Sequence, residues 1–86
     1  MDRSGPRLRA NPKHQKALLA LLREIRIDAG LRQEDLAKAL GMPQSVVSKY
    51  ESGERRLDLL ELRQVCRATG IDLKDFVARL EKALGG

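Results

Sequence analysis

Aromatic residues, cysteine and long apolar runs are all scarce in this 86-residue chain. Tyr50 and Phe76 are the only aromatic residues, too few for the stacking platforms with which proteins bind single-stranded nucleic acid. Because Cys66 is the only cysteine, no intramolecular disulfide can form, which favours a reducing, cytoplasmic setting. No apolar run approaches the roughly 20 residues of a membrane span, so no membrane association is expected.

Groups that carry catalysis or bind metals are equally few. His14 is the only histidine, and a zinc site needs more ligands than His14 and Cys66 provide. No nucleophile motif stands at a spacing from His14 that supports a Ser-His-Asp site. We therefore expect a single small domain that is not an enzyme and that holds no metal and no cofactor.

Positive charge is concentrated at the start of the chain. The net charge is +5, and the first sixteen residues contain five basic residues and one acidic residue, against twelve and eleven in the remainder. Residues 1–10 include Gly5 and Pro6 and offer little to bury. They are predicted to form a flexible basic arm, and residues 11–86 are predicted to form the folded domain.

Apolar residues at helical spacing, interrupted by glycines, predict five helices and no strand. Side-chain caps are expected at Asn11, Asp58 and Asp72, each of which precedes an apolar periodic segment. The predicted helices start at the Asn11-Pro12 pair, cover about 33–40 and about 44–51, run from Asp58 to about Thr69, and follow Asp72 through Leu84. The fourth of these helices is expected to bury Leu59, Leu62, Val65 and Cys66. The predicted fold class is therefore all-α.

The segment 33–53, QEDLAKALGMPQSVVSKYESG, is the most informative part of the chain. It predicts two short helices joined by a tight turn, in which Gly41 supplies a positive φ and the small Ala37 allows a close helix crossing. The outward side of the second helix then has hydrogen-bonding side chains, most of them uncharged: Gln44, Ser45, Ser48 and Lys49. Such side chains on one exposed helix favour reading of base edges in the major groove of DNA.

This segment resembles the helix-turn-helix of the phage-repressor and Cro family, also called the xenobiotic-response-element family. The resemblance extends over about 21–84. It is carried by Gly30-Leu31, by the run QEDLA at 33–37, by Gly41, Gln44-Ser45 and Val47, and by YESG at 50–53. It implies a five-helix fold of the lambda-repressor type and binding of double-stranded DNA.

The resemblance also implies roles for individual residues. It places base contacts at Gln44, Ser45 and Lys49, with Ser48 beside them, and phosphate contacts at Gln33, Ser52, Arg55 and Arg56. Arg26 and Glu51 match a structural ion pair that ties the first helix to the end of the recognition helix. Three positions depart from the family pattern: Arg32 and Pro43 replace usual capping residues, and Val46 is apolar where the position often faces DNA.

The function implied is that of a small bacterial or phage transcriptional regulator, a repressor that binds a palindromic site as a homodimer. The last helix is the expected dimer contact, with part of its apolar face covering the core: Leu73, Phe76, Val77, Leu80 and Leu84. The alternative is a protein-binding module, for example an antitoxin whose main partner is a toxin. The basic arm is expected either to contact DNA or to act as a solubilising tail.

Overall fold

The structure is a computed structural model that describes residues 11–85. Five α-helices follow one another without a strand in that part of the chain, which confirms the predicted all-α class. The helices are α1 (Pro12–Asp28), α2 (Gln33–Leu40), α3 (Gln44–Ser52), α4 (Leu59–Thr69) and α5 (Leu73–Ala83). The basic arm predicted for residues 1–10 lies outside the described residues.

Two of the three predicted side-chain caps form. Asn11 Oδ1 accepts a hydrogen bond from the backbone N–H of Lys13 at 2.8 Å, and Pro12 follows as the first residue of α1. Asp58 and Glu61 cap α4 reciprocally, each carboxylate accepting from the backbone N–H of the other residue at 2.7 and 2.9 Å. The cap predicted at Asp72 is wrong, because its side chain makes no cap hydrogen bond and α5 begins on backbone hydrogen bonding alone.

At the start of α2, Asp35 compensates for the unusual cap residue Arg32. An arginine side chain cannot accept a hydrogen bond, so it cannot cap a helix N-terminus. Instead, the Asp35 carboxylate accepts from the backbone N–H of Arg32 at 2.9 Å and from its guanidinium at 3.0 Å. These two hydrogen bonds, the side-chain one first, lower the pKa of Asp35 to about 2.

The core is formed by apolar residues from all five helices. Its members are Leu21, Leu22, Ile25, Leu36, Ala37, Val47, Val65, Cys66 and Phe76, with Tyr50 buried beside them. Ala37 is 2% exposed, consistent with the close crossing of α2 and α3. Cys66 is fully buried, and this burial raises the pKa of its thiol.

Two predicted apolar faces differ from those observed. Leu59 was expected to be buried but is 64% exposed, because it is the first residue of α4 and the helix is buried only from its second turn, at Val65 and Cys66. On α5, Phe76 is fully buried whereas the adjacent Val77 is 42% exposed. Successive residues of a helix differ by about 100° in direction, so only one of this pair faces the core.

Helix α5 is attached to the rest of the domain by apolar side chains and by surface charges. The Arg79 guanidinium lies 3.4 Å from a Glu24 oxygen and 3.9 Å from an Asp28 oxygen, and all three side chains are well exposed. Exposed ion pairs of this kind contribute little stability. The fully buried Phe76, together with the partly buried Leu73 and Leu80, is therefore the main attachment of α5 to the rest of the domain.

Candidate nucleic-acid interface

The turn between α2 and α3 orients the second helix of the motif. Gly41 has φ +70°, in the left-handed region, and its N–H and that of Met42 donate to carbonyls of the last turn of α2. Pro43, with φ −65° and an extended ψ, then starts α3 without any side-chain cap. Val47 and Tyr50 are buried at 1% and 3% exposure, so they fix the rotation of α3 about its own axis.

The residues predicted to contact bases lie on the opposite side of α3. Gln44, Ser45 and Lys49 are exposed, whereas Ser48 and Val46 are half-buried. Side chains of Gln, Ser and Lys can pair with donor and acceptor groups of base edges. The structure thus brings three predicted base contacts together on one exposed surface, and leaves Ser48 half-buried.

A chain of hydrogen bonds joins this surface to the interior. Gln44 Nε2 donates to Gln33 Oε1 at 3.2 Å, and Gln33 Nε2 donates to Glu51 Oε1 at 3.1 Å. Gln33 is the first residue of α2 and Gln44 the first of α3, so the contact links the starts of both helices of the motif. Neither contact was predicted from the sequence, where the only signal for them is a glutamine at each helix start.

Arg26 and Glu51 form a bidentate ion pair between α1 and α3. Arg26 Nε and Nη2 donate to the two Glu51 oxygens at 2.6 and 3.1 Å, and Nη1 donates to the Leu31 carbonyl at 2.8 Å. The two side chains are only 11% and 9% exposed. A buried charge is tolerated only when it is paired and hydrogen-bonded, so each group depends on the other.

The loop after α3 contains the other residues predicted to contact phosphates. Ser52 Oγ donates to the Lys49 carbonyl at 3.2 Å, and the Arg55 N–H donates to the same carbonyl at 3.1 Å. The Arg55 guanidinium carbon lies 5.6 Å from the centre of the Tyr50 ring, within cation–π range. Arg55 and Arg56 are both exposed. The loop thus presents two guanidinium groups at the C-terminal end of α3.

The Tyr50 hydroxyl is buried and has no hydrogen-bond partner among residues 11–85. Burial, followed by the negative charge of Glu61, raises its pKa.

Because an unsatisfied buried hydroxyl costs free energy, Tyr50→Phe is expected to leave the free energy of unfolding unchanged or to raise it by up to about 1 kcal/mol. Urea denaturation of the two proteins measures the difference, and a loss above about 1 kcal/mol would show that the hydroxyl has a partner.

Comparison with known proteins identifies the family. The profile of the helix-turn-helix family matches residues 22–76, well over half of the chain. A solved structure of an XRE-family like protein from Pseudomonas syringae pv. tomato str. DC3000 is 48% identical, with a TM-score of 0.76 over 80% of this chain and 84% of that one. The chain belongs to the XRE family of helix-turn-helix proteins. The predicted family and fold are therefore confirmed, and the family implies binding of double-stranded DNA and transcription regulation.

Two further structures resemble this XRE-family protein. The clp gene regulator ClgR from Corynebacterium glutamicum is 32% identical, with a TM-score of 0.72 over 88% of this chain and 94% of that one. The restriction-modification controller protein C.Esp1396I is 22% identical, with a TM-score of 0.75 over 83% and 92% of the respective chains, and it shows the shared fold. Comparison with curated protein sequences gave no match.

Within residues 11–85 of this XRE-family protein, no helix is both long and apolar enough to span a bilayer. That part of the chain also contains no group of three or more His, Cys, Asp or Glu side chains positioned to hold a metal ion.

Proposed function

We propose that this XRE-family protein is a repressor that binds a palindromic operator as a homodimer, with α3 of each copy in the major groove. One observation carries the proposal: α3 buries Val47 and Tyr50 while Gln44, Ser45 and Lys49 remain exposed on its other side. A major groove admits one helix, and these side chains match the donors and acceptors of base edges.

Specific roles follow from where the side chains lie. Gln44, Ser45 and Lys49 are proposed to contact bases, with the half-buried Ser48 beside them. Gln33, at the start of α2, and Ser52, Arg55 and Arg56, at the end of α3, are proposed to contact phosphates on either side of the groove. Phosphate contacts of this kind set the position of the protein on DNA and make its affinity depend on salt.

The dimer contact is proposed to use α5, with one change from the face expected from the sequence. Phe76 is fully buried in its own domain and is not available to a second copy, whereas Val77 is exposed. Leu73 and Leu80 pack partly against the core, and Leu84 is half-buried. A dimer with two-fold symmetry would read half-sites whose centres lie about 34 Å apart, or a multiple of that distance.

Selection of random duplex DNA, followed by sequencing of the bound pool, tests the function. The folded protein is expected to enrich an inverted repeat, and Gln44→Ala is expected to lose about 1–3 kcal/mol of affinity and to relax the preference at one base pair of each half-site. Unchanged sequence preference in Gln44→Ala would remove this residue from the base-contacting set. A folded protein that enriches no sequence would contradict sequence-specific binding.

A second candidate function is supported by an exposed apolar pair at the start of α4. Leu59 and Leu60 are 64% and 71% exposed, and adjacent exposed leucines are a feature of protein-binding surfaces. The corresponding function is that of a protein-binding module, for example an antitoxin that binds a toxin. Two sets of substitutions test this second function. It is favoured if a partner protein still binds after combined substitution of Gln44, Ser45 and Lys49 but no longer binds after substitution of the two leucines.

A further inference from the structure

Helix α1 borders the end of α3 at Leu19. Gly53 caps the C-terminus of α3, and a Cβ atom at this position would lie 3.0 Å from Leu19 Cδ1. The groove beside this contact is lined by residues of α1, Leu19 among them, and by residues of the following loop that include Arg55 and Arg56. Leu19 therefore marks the side of α1 that adjoins the loop proposed to contact phosphates.

Two basic side chains flank Leu19 on this side of α1. Lys16 precedes it by three residues and Arg23 follows it by four, and residues at these spacings are neighbours on the surface of a helix. With about 100° of rotation per residue, both point within about 60° of the direction of Leu19. Both are exposed, and neither forms an ion pair with a carboxylate of the segment 11–85. These two residues are the basic row of α1.

The acidic residues of α1 lie elsewhere on its surface. Glu24 and Asp28, the only two, point about 140° and about 180° away from Leu19. They lie toward α5, where the Arg79 guanidinium is 3.4 Å from a Glu24 oxygen and 3.9 Å from an Asp28 oxygen. A surface of one sign attracts an oppositely charged partner, whereas interspersed charges do not. Because the side of α1 that adjoins the loop has no acidic residue, the basic row and the loop arginines form one positive surface.

The partner that matches this surface is a polyanion whose charges repeat along its length. A DNA duplex has one phosphate charge per roughly 1.7 Å of its axis, and binding by lysine and arginine releases the cations condensed on it. We propose that Lys16 and Arg23 bind backbone phosphates of the duplex that α3 enters, so that the interface extends beyond the helix-turn-helix onto the side of α1. The family resemblance assigned phosphate contacts only to α2, α3 and the following loop. The inference rests on the proposed function, because it places α3 in the groove.

The test measures how the affinity for an operator duplex depends on salt. The duplex is the one that the wild-type protein enriches from random sequences, and its dissociation constant is measured by fluorescence anisotropy over a series of salt concentrations. Lys16→Gln and Arg23→Gln each remove one positive charge. Glutamine has a helix propensity close to that of lysine and arginine, and both positions are exposed, so both variants are expected to keep the wild-type melting temperature.

Two further variants are the controls. Lys16→Arg keeps the positive charge, so it is expected to keep the phosphate contact. Arg67→Gln makes the same change in charge as Arg23→Gln, at an exposed arginine in the last turn of α4. The Arg67 side chain lines grooves beside the end of α2 and the start of α5, so it does not adjoin the loop after α3.

The plot of log K against log salt concentration is expected to become shallower by about 0.9 for each Lys16 or Arg23 side chain removed from a bound copy. A homodimer contains two copies, so each single substitution is expected to change the slope by about 1.8. Lys16→Arg and Arg67→Gln are expected to keep the wild-type slope. The ranking of operator sequences is expected to stay the same in all four variants, because phosphate contacts contain no sequence information.

A wild-type slope in folded Lys16→Gln or in folded Arg23→Gln would overturn the inference and leave reading of DNA by α3 in place. A comparable change of slope in Arg67→Gln or in Lys16→Arg would also overturn it, because the effect would then not come from a charged contact at these positions. If the wild type enriches no sequence, the proposed function fails, and the inference fails with it. Shallower slopes in the two glutamine variants of α1, with both controls unchanged, support it.

Discussion

Phe76→Ala is expected to lower the free energy of unfolding by about 3–5 kcal/mol. The Phe76 ring is fully buried and is the one side chain of α5 that belongs to the buried core. Its removal loses the transfer free energy of the ring and leaves a cavity. What then attaches α5 is the partly buried pair Leu73 and Leu80 and the exposed ion pairs of Arg79. Small domains have total stabilities of roughly 5–15 kcal/mol, so this loss is a large part of the total. Urea denaturation followed by far-ultraviolet circular dichroism measures it.

Val77→Ala is the matched control for this prediction. Val77 is adjacent to Phe76 on the same helix but 42% exposed, so its truncation is expected to cost less than about 1 kcal/mol in the monomer. If Phe76→Ala and Val77→Ala lowered the free energy of unfolding equally, Phe76 would not be the main attachment of α5. Analytical ultracentrifugation of Val77→Ala would also show whether this exposed side chain contributes to self-association.

Arg26→Ala is expected to destabilise the fold by about 3–5 kcal/mol, because it leaves the Glu51 carboxylate buried without its counter-charge. Glu51 is 9% exposed and receives two of its three hydrogen bonds from Arg26. The Leu31 carbonyl loses its guanidinium donor in the same variant. Chemical denaturation measures the loss, and the double variant Arg26→Ala with Glu51→Ala is expected to recover part of it, since the unpaired charge is then absent.

Arg32→Ala provides the corresponding control on an exposed ion pair. The Arg32 side chain is 71% exposed and pairs with Asp35 at 3.0 Å. Exposed pairs contribute about 0–1 kcal/mol, and the backbone hydrogen bond from residue 32 to Asp35 survives the substitution. If Arg32→Ala lowered the free energy of unfolding more than Arg26→Ala does, burial would not be what determines how much each arginine contributes to stability.

Local signals were sufficient to predict the course of the helices. The bounds predicted for α2, Gln33–Leu40, are those observed, because Gly41 ends the helix at the position where its positive φ is needed. The third helix extends one residue beyond its predicted end, to Ser52. Periodicity and turn residues act within a few positions of the chain, so they contain enough information for elements of this length.

Features that depend on how helices meet were predicted less well. The prediction that Leu59 is buried was wrong. Periodicity identifies which face of a helix is apolar, but not how much of the length of that helix the neighbouring helices cover. The pair Arg26 and Glu51 is 25 residues apart, and only the family resemblance suggested it. The turn at Gly41 was predicted, but the contact between Gln33 and Gln44 depends on how α2 and α3 cross, and the periodicity within each helix does not specify that.

In the nine residues of α3, the side chains that are buried in the core differ from those that are exposed to solvent. This separation bears on how such a protein can change during evolution. Val47 and Tyr50 hold the helix in the core, whereas Ser45 and Lys49 are exposed and their side chains form no hydrogen bond with other residues of the described segment, 11–85. Exposed substitutions of this kind usually change stability by less than about 0.5 kcal/mol. Under the proposed base contacts, a lineage can therefore acquire new operators by single changes at these two positions while its fold remains the same, whereas a change at Gln44 also removes its hydrogen bond to Gln33.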